Sequence, residues 1–276
     1  MNFRIKAAEF FDILLEEIRE HETLQGYYRF LQDPSTFEFR KAYYVQRLEY
    51  IAQRVASNPS ARIWDLGCGY GTTAIFLVLN GFEVRGSTLE YYFAEIPQRL
   101  AFWSKHGDLS RLKLDYENLF DYRLKESQPY DFVIVQDTLH HLEPIGEALS
   151  IISKSLKKGG EMIAVEENGS NIVQNLKLYK QRGNKRIIKI YDEKLGKEIL
   201  LGNENIRPLS KWKELCAAAG MTVSHNSVHY VRLFPPHYFR NSPVGKVISR
   251  EQSIWKKNSF LRKYFFFGLA FSAAKG

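Results

Sequence analysis

Arg62–Leu77, RIWDLGCGYGTTAIFL, decides how the rest of the chain is read. Its first residues, Ile63-Trp64-Asp65-Leu66, form a short apolar strand. Glycines at 67, 69 and 71 break the strand, and Thr72–Asn80 resumes as a helix. Glycine tolerates positive φ and lets a ligand approach the backbone closely. A helix N-terminus adds unpaired N–H groups and the positive end of a dipole. Strand, glycine turn and helix together suit a nucleotide-like ligand, and Asp65 at the strand end suits a cationic group on it. The spacing is not the dinucleotide fingerprint, which requires glycine at 72, where Thr stands.

Working outward, 276 residues suffice for one sizeable core with room for insertions. With 19 Phe and 16 Tyr the chain is not of the disordered class. Two cysteines, Cys68 and Cys216, make no disulfide framework and fit a reducing, cytoplasmic setting. Cys68 reads as a small filler of the glycine loop, and no metal site is expected. The first twenty residues are acidic and amphipathic, unlike a signal peptide. The apolar run Tyr264–Ala274 is about half of what a bilayer span needs. The net charge of +8 is divided unevenly, −6 over 1–153 and +14 over 154–276. The basic half suits nucleic acid, an anionic membrane surface or an acidic small substrate, or is a solvated face.

Residues 3–57 read as helical, with a break at Asp33-Pro34-Ser35 and Ser35 or Thr36 as cap of the second long helix. Beyond the glycine loop, strands are expected at Glu83–Thr88, Leu112–Tyr116, Tyr130–Gln136, Glu161–Val165, Met221–His225 and Tyr264–Lys275. Helices are expected at 91–106, Ile145–Leu156 and Lys211–Ala219. Lys157-Lys158-Gly159-Gly160 reads as a basic last helical turn with a glycine stop. Ile187–Tyr191 and Lys197–Leu201 read as a hairpin.

The string DLGCGYG resembles motif I of the class I S-adenosylmethionine-dependent methyltransferases, and later segments fit that family in order. LDYENLFDY after the third strand is similar to its D-A-x-x-L stretch, and DTLHHLEP after the fourth resembles its D-x-x-H-H-L element, seen in enzymes acting on quinone precursors and other lipids. The resemblance implies an α/β, Rossmann-like sheet of seven strands in the order 3-2-1-4-5-7-6, the last antiparallel, with helices on both faces. It implies a helical cap over 1–59 and a methyltransferase domain over 60–276, with insertions at 169–207 and 228–262. The implied cofactor is S-adenosylmethionine, held by Asp65, Gly67, Gly69 and Gly71, with Gln136 beside its methionyl end. Asp115 would accept from the adenine amino group and the Tyr116 backbone N–H would meet the ring, Glu117 being the competing acid. The family's ribose-binding carboxylate position is Thr88 here. Glu90, two residues on, is taken for that contact, with Tyr91 or Tyr92 stacking nearby. Arg47 is within the stretch that could reach the cofactor carboxylate.

Methyl transfer from a sulfonium is an in-line displacement, so the protein's tasks are alignment and exclusion of water. A hydroxyl acceptor also loses a proton, and histidine suits that work. His140 and His141 are the candidate bases, with Glu167 a third, and shaping of the loop is the alternative role of the histidines. The expected partner is a small-molecule acceptor, apolar or lipid-like, seated under the two insertions, with O-methylation favoured. Methylation of exocyclic base amines calls for an N/D-P-P-Y/F-like motif after strand four, and Gln136-Asp137-Thr138-Leu139 stands there instead. Other RNA chemistry and a non-catalytic cofactor-binding protein remain the rival classes. The basic-aromatic segment 246–263 reads either as a lid or as a peripheral membrane contact; nothing in the sequence sets the oligomeric state.

Overall fold

The computed structural model describes residues 3–122 and 128–276, without the side chains of Tyr91 and Tyr92, so the stacking role expected of those two lies outside the described residues. Three helices lead the chain, α1 (Ala7–Glu20), α2 (Glu22–Tyr28) and α3 (Phe37–Val55). The βα alternation follows: β1 (Arg62–Leu66), α4 (Thr72–Leu79), β2 (Glu83–Thr88), α5 (Ile96–Trp103), β3 (Leu112–Tyr116), β4 (Tyr130–Gln136), α6 (Ile145–Ser155) and β5 (Leu156–Glu167). Next come α7 (Ile172–Arg182), the hairpin β6 (Ile187–Asp192) and β7 (Lys197–Gly202), α8 (Leu209–Ala218), β8 (Met221–Val223) and β9 (His229–Val231). The chain closes with α9 (Pro236–Asn241), α10 (Val244–Lys257), α11 (Ser259–Tyr264) and β10 (Gly268–Lys275).

The sheet runs β3-β2-β1-β4-β5-β10-β8, the expected 3-2-1-4-5-7-6 order, with β10 antiparallel to its neighbours. The seven-strand expectation is corrected by one: β9 pairs beside β10, making eight, because Tyr230 and its flanks find backbone partners at Gly268–Ala270. Alternate residues of the strands feed two core layers. Ile63, Val84, Ile134 and Ile163 face α1, α4 and α5; Trp64, Val133, Val135 and Met162 face α6 and α8. Every residue of α4 is buried, as its unbroken TTAIFLVL demands. Phe10 of α1 packs 5.2 Å from Phe76 and 4.6 Å from Trp103, which fixes the N-terminal helices onto this face. Each such fully buried ring contributes roughly 1.5–3 kcal/mol.

Several expected boundaries shift. Thr36 stands at the N-cap of α3 but makes no side-chain cap bond; a short 3-10 turn, Pro34–Thr36, leads into the helix and is capped by Asp33, whose carboxylate accepts from Ser35 N–H at 2.8 Å. Lys157–Gly160 is not a helical turn but the irregular start of β5. There Gly159 is left-handed, and a Cβ on Gly160 would lie 2.9 Å from the Asp131 carbonyl. In 228–262, Pro243 stands at the N-cap of α10, and Asn258 caps α11 by accepting from Leu261 N–H at 2.9 Å. Val247 of α10 is buried with Ala42 and Phe239, and Trp255 packs 5.1 Å from His229. Among the described residues no helix is long and apolar enough to cross a membrane.

Candidate active site

The carboxyl ends of β1, β2, β4 and β5 converge where the strand order reverses, and most of the sequence-selected residues meet there. Gly67, Gly69 and Gly71 all hold positive φ, of 74°, 54° and 74°. A Cβ on Gly67 would lie 2.3 Å from the Thr138 side chain, so this turn admits no other residue without rebuilding the neighbouring loop. Gly67 and Cys68 N–H both donate to the Ser87 carbonyl, at 2.8 and 3.0 Å, tying the loop to β2. The Cys68 sulfur fills the space left by Gly86, and burial raises its pKa well above the ordinary thiol value, which keeps it a protonated filler.

The loop is also held from below. Arg99 donates to the Tyr70 carbonyl at 2.6 Å and to Thr72 Oγ1 at 2.7 Å. Its other nitrogens form a two-pronged pair with Glu17, at 2.8 and 2.6 Å, and Glu17 also accepts from Trp103 Nε1 at 2.8 Å. Glu17 and Arg99 are 0% and 1% exposed. Sequence reasoning missed this network, although Glu17 sits among Leu14, Leu15 and Ile18 on the buried side of α1, an acid at a core phase.

Two polar atoms at the loop's edge are buried without a hydrogen-bond partner: Asp65 Oδ2 on β1 and Gln136 Oε1 on β4. The other side of the Asp65 carboxyl accepts from Ala74 N–H, and burial pushes its pKa up to about 7. An orphaned carboxylate oxygen and an orphaned amide oxygen on adjacent strands are what an ammonium group would satisfy. Thr88 ends β2 buried, its hydroxyl accepting from Glu90 N–H at 3.2 Å, while the Glu90 carboxylate is exposed just beyond it.

The β3 acids are placed differently. Asp115 pairs with Arg85 Nε at 2.9 Å, and Glu117 with Arg85 Nη2 at 2.6 Å, so one guanidinium holds both of the acids named for the adenine. The Tyr116 hydroxyl donates to Asp192 Oδ2 at 2.9 Å, linking the tip of the β6–β7 hairpin to β3. At its other end the hairpin lies on the histidines, and Leu142 bridges to Leu201. The insertion 169–207 thus spans the carboxyl ends of the sheet.

After β4 the chain turns through Asp137, a non-glycine residue at φ 50°, whose carboxylate pairs with Arg47 of α3. Glu166 at the end of β5 organises this turn. Its Oε1 accepts from Thr138 and Leu139 N–H at 3.0 and 2.7 Å, and its Oε2 lies 2.5 Å from His140 Nδ1. Burial opposes charge on His140, but Glu166, with Asp137 and Glu204, more than offsets it and raises the pKa to about 9. His141 Nδ1 lies 2.8 Å from the Gly202 carbonyl, which can only accept, so Nδ1 carries the proton and Nε2 is the open nitrogen. Burial raises the pKa of Glu167, with Arg232 and His140 pulling it down. Arg232 stacks over Tyr43, 5.2 Å from the ring centroid, so the second insertion also reaches this mouth. Glu166 was not singled out from the sequence, where nothing separates it from Glu167.

Residues 37–225, more than half of the chain, match a family described as a methyltransferase domain. The ubiquinone biosynthesis O-methyltransferase of Rickettsia bellii is 27% identical over 118 residues, 41% of this chain and 47% of that protein. Its counterpart from Salmonella arizonae is 24% identical over 172 residues, 60% of this chain and 67% of that protein. The chain thus spans about half to two thirds of the length of these curated relatives. The crystal structure of magnesium protoporphyrin IX methyltransferase from Synechocystis with bound SAH superposes with a TM-score of 0.57 at 14% identity. That match covers 96% of this chain and all of the other, and at such identity it speaks to the fold alone.

Proposed function

The chain belongs to the methyltransferase-domain family, and from that premise we propose that it moves a methyl group from S-adenosylmethionine to a hydroxyl of a small, largely apolar acceptor carrying an acidic or polar group. The observation that carries this reading is the buried, unpartnered Asp65 Oδ2 beside three left-handed glycines. The ammonium end of the cofactor would be held there together with Gln136, and the ribose by Glu90 or Thr88. When bound, this cofactor supplies an electrophilic methyl on a sulfonium.

The protein's own part is alignment, exclusion of water and management of one proton. Tyr43 and Arg232 border the acceptor side, with Arg47 beside them already paired to Asp137, and this aromatic face with one cation fits an apolar molecule carrying an acidic group. The hairpin β6–β7, fixed at Tyr116 and at His141, covers the reacting region from solvent. His141 Nε2 is the open basic atom at the mouth, and it receives the hydroxyl proton. Quinone-precursor acceptors are supported by the relatives' names.

The test is label transfer from methyl-labelled S-adenosylmethionine to a panel of phenols, catechols and hydroxylated lipids, with total RNA in parallel. Label in a phenol or lipid hydroxyl supports the proposal. Label in RNA alone would favour the nucleic-acid reading to which the basic half lends weight, and cofactor binding without transfer to any class would favour a non-catalytic protein.

A further inference from the structure

We infer that His140, His141 and Glu204 form a binding site for a first-row divalent transition metal, of the two-histidine, one-carboxylate type. One ligand atom from each of the three residues lies within 4.8 Å of the others, the one such cluster containing histidine among the described residues. The inference stands on the hydrogen bonds around the histidines. Metal-binding histidines donate their second nitrogen to a carboxylate or a backbone carbonyl, which fixes ring and tautomer. Both forms occur here: His140 Nδ1 on Glu166, His141 Nδ1 on the Gly202 carbonyl. Each arrangement leaves Nε2 as the ligating atom. His140 Nε2 faces the Glu204 carboxylate at 3.8 Å, too far for a hydrogen bond.

The backbone is built to keep these groups together. Gly202 N–H donates to the His141 carbonyl at 2.8 Å and Asn205 N–H to the His140 carbonyl at 3.2 Å. A Cβ on Gly202 would lie 2.0 Å from the His140 carbonyl oxygen, so only glycine lets the loop bearing Glu204 lie this close. Glu204 itself holds φ 52°. The site is wider than a bound ion requires. Bond lengths of about 2.0–2.2 Å place ligand atoms roughly 3.3–3.6 Å apart in a tetrahedron. Glu204, with 42% of its side chain exposed, has the freedom to close that gap. Two imidazoles and one carboxylate favour zinc, cobalt or iron over magnesium, and leave a position for an oxygen ligand. On the methyl-transfer reading, an ion here would coordinate the acceptor hydroxyl and lower its pKa, and with His141 Nε2 engaged as a ligand the released proton would pass to solvent at the mouth. The metal titration reads the ligands whether or not transfer occurs.

The experiment is calorimetric titration of the untagged, chelator-stripped full chain with zinc chloride, and optical titration with cobalt chloride. The expected result is one zinc per chain, with affinity about 100-fold or more weaker in both Glu204→Gln and His141→Ala. Cobalt should give a visible ligand-field band in the wild type that both variants lose. A large excess of magnesium should not displace the zinc. Circular dichroism checks that the variants fold, and Glu204→Gln, at a half-exposed side chain, is the informative one if His141→Ala does not. Absence of stoichiometric zinc binding, or unchanged affinity in Glu204→Gln, would overturn the inference.

Discussion

Asp65 should make cofactor binding depend on pH. It is 2% exposed, one of its oxygens has no partner, and burial raises its pKa from 3.8 to about 7. The ammonium of S-adenosylmethionine stays largely protonated up to about pH 7, so below that pH the proportion of ionised Asp65 is what changes. Between pH 6 and pH 7 that proportion climbs from about a tenth to about a half, so affinity should rise about fivefold. The sign for stability is the reverse. A carboxyl whose folded-state pKa lies above its unfolded value binds its proton more tightly when folded. The ligand-free protein therefore loses stability as pH rises from about 4 through 7, by at most about 4 kcal/mol. Asp65→Asn should abolish that rise and weaken binding at pH 7 by about fivefold or more. It should also raise the melting temperature of the ligand-free protein at pH 8, by roughly 4–8 °C for about 2 kcal/mol recovered. Calorimetry with S-adenosylmethionine at pH 6, 6.5 and 7, and thermal denaturation of both proteins at pH 8, test this. Affinity that is flat with pH in the wild type, or undiminished in Asp65→Asn, would refute the reasoning.

Gly67→Ala must place a side chain against Thr138 at a left-handed φ, so it should lose cofactor binding and about 1–2 kcal/mol of stability from the backbone alone, read by calorimetry and melting. Glu17→Ala strips the partner from a buried guanidinium and should cost about 3–5 kcal/mol in denaturant titration, whereas a paired apolar replacement of Glu17 and Arg99 should recover much of it. Excision of the hairpin 187–202 in favour of a short glycine linker should leave S-adenosylhomocysteine binding within a few-fold of wild type while acceptor turnover collapses; loss of both together would count against the hairpin's assignment to the acceptor side.

Among the strands that frame the cleft, β1 and β4 were legible as short apolar runs that follow Pro59 and Pro129. Tyr130–Gln136 appears with the bounds its sequence suggests, and so does Leu112–Tyr116. The β6–β7 hairpin was legible from two alternating runs around Asp192–Gly196. What stayed hidden depends on partners far along the chain. Glu17 meets Arg99 across 82 residues, and Glu166 meets His140 across 26, and no local pattern marks either acid. Glu251, a buried acid on the inner face of α10, is likewise held by a distant segment, accepting Leu233 and Phe234 N–H at 2.7 and 2.8 Å. Asp115 was legible as an acid at the end of β3, but its capture by Arg85 depends on strand register that no single segment reveals.

The central claim is that the glycine loop holds S-adenosylmethionine, and calorimetric titration of the wild type and of Gly69→Val with that cofactor tests it most directly. Gly69 sits at φ 54° in the turn where a cofactor must approach the backbone, so a β-branched side chain there both strains the loop and fills the approach. The account predicts one cofactor per chain for the wild type and no measurable binding in a variant that circular dichroism shows to be folded. Equal affinity in the two proteins, or no binding by the wild type, would contradict it.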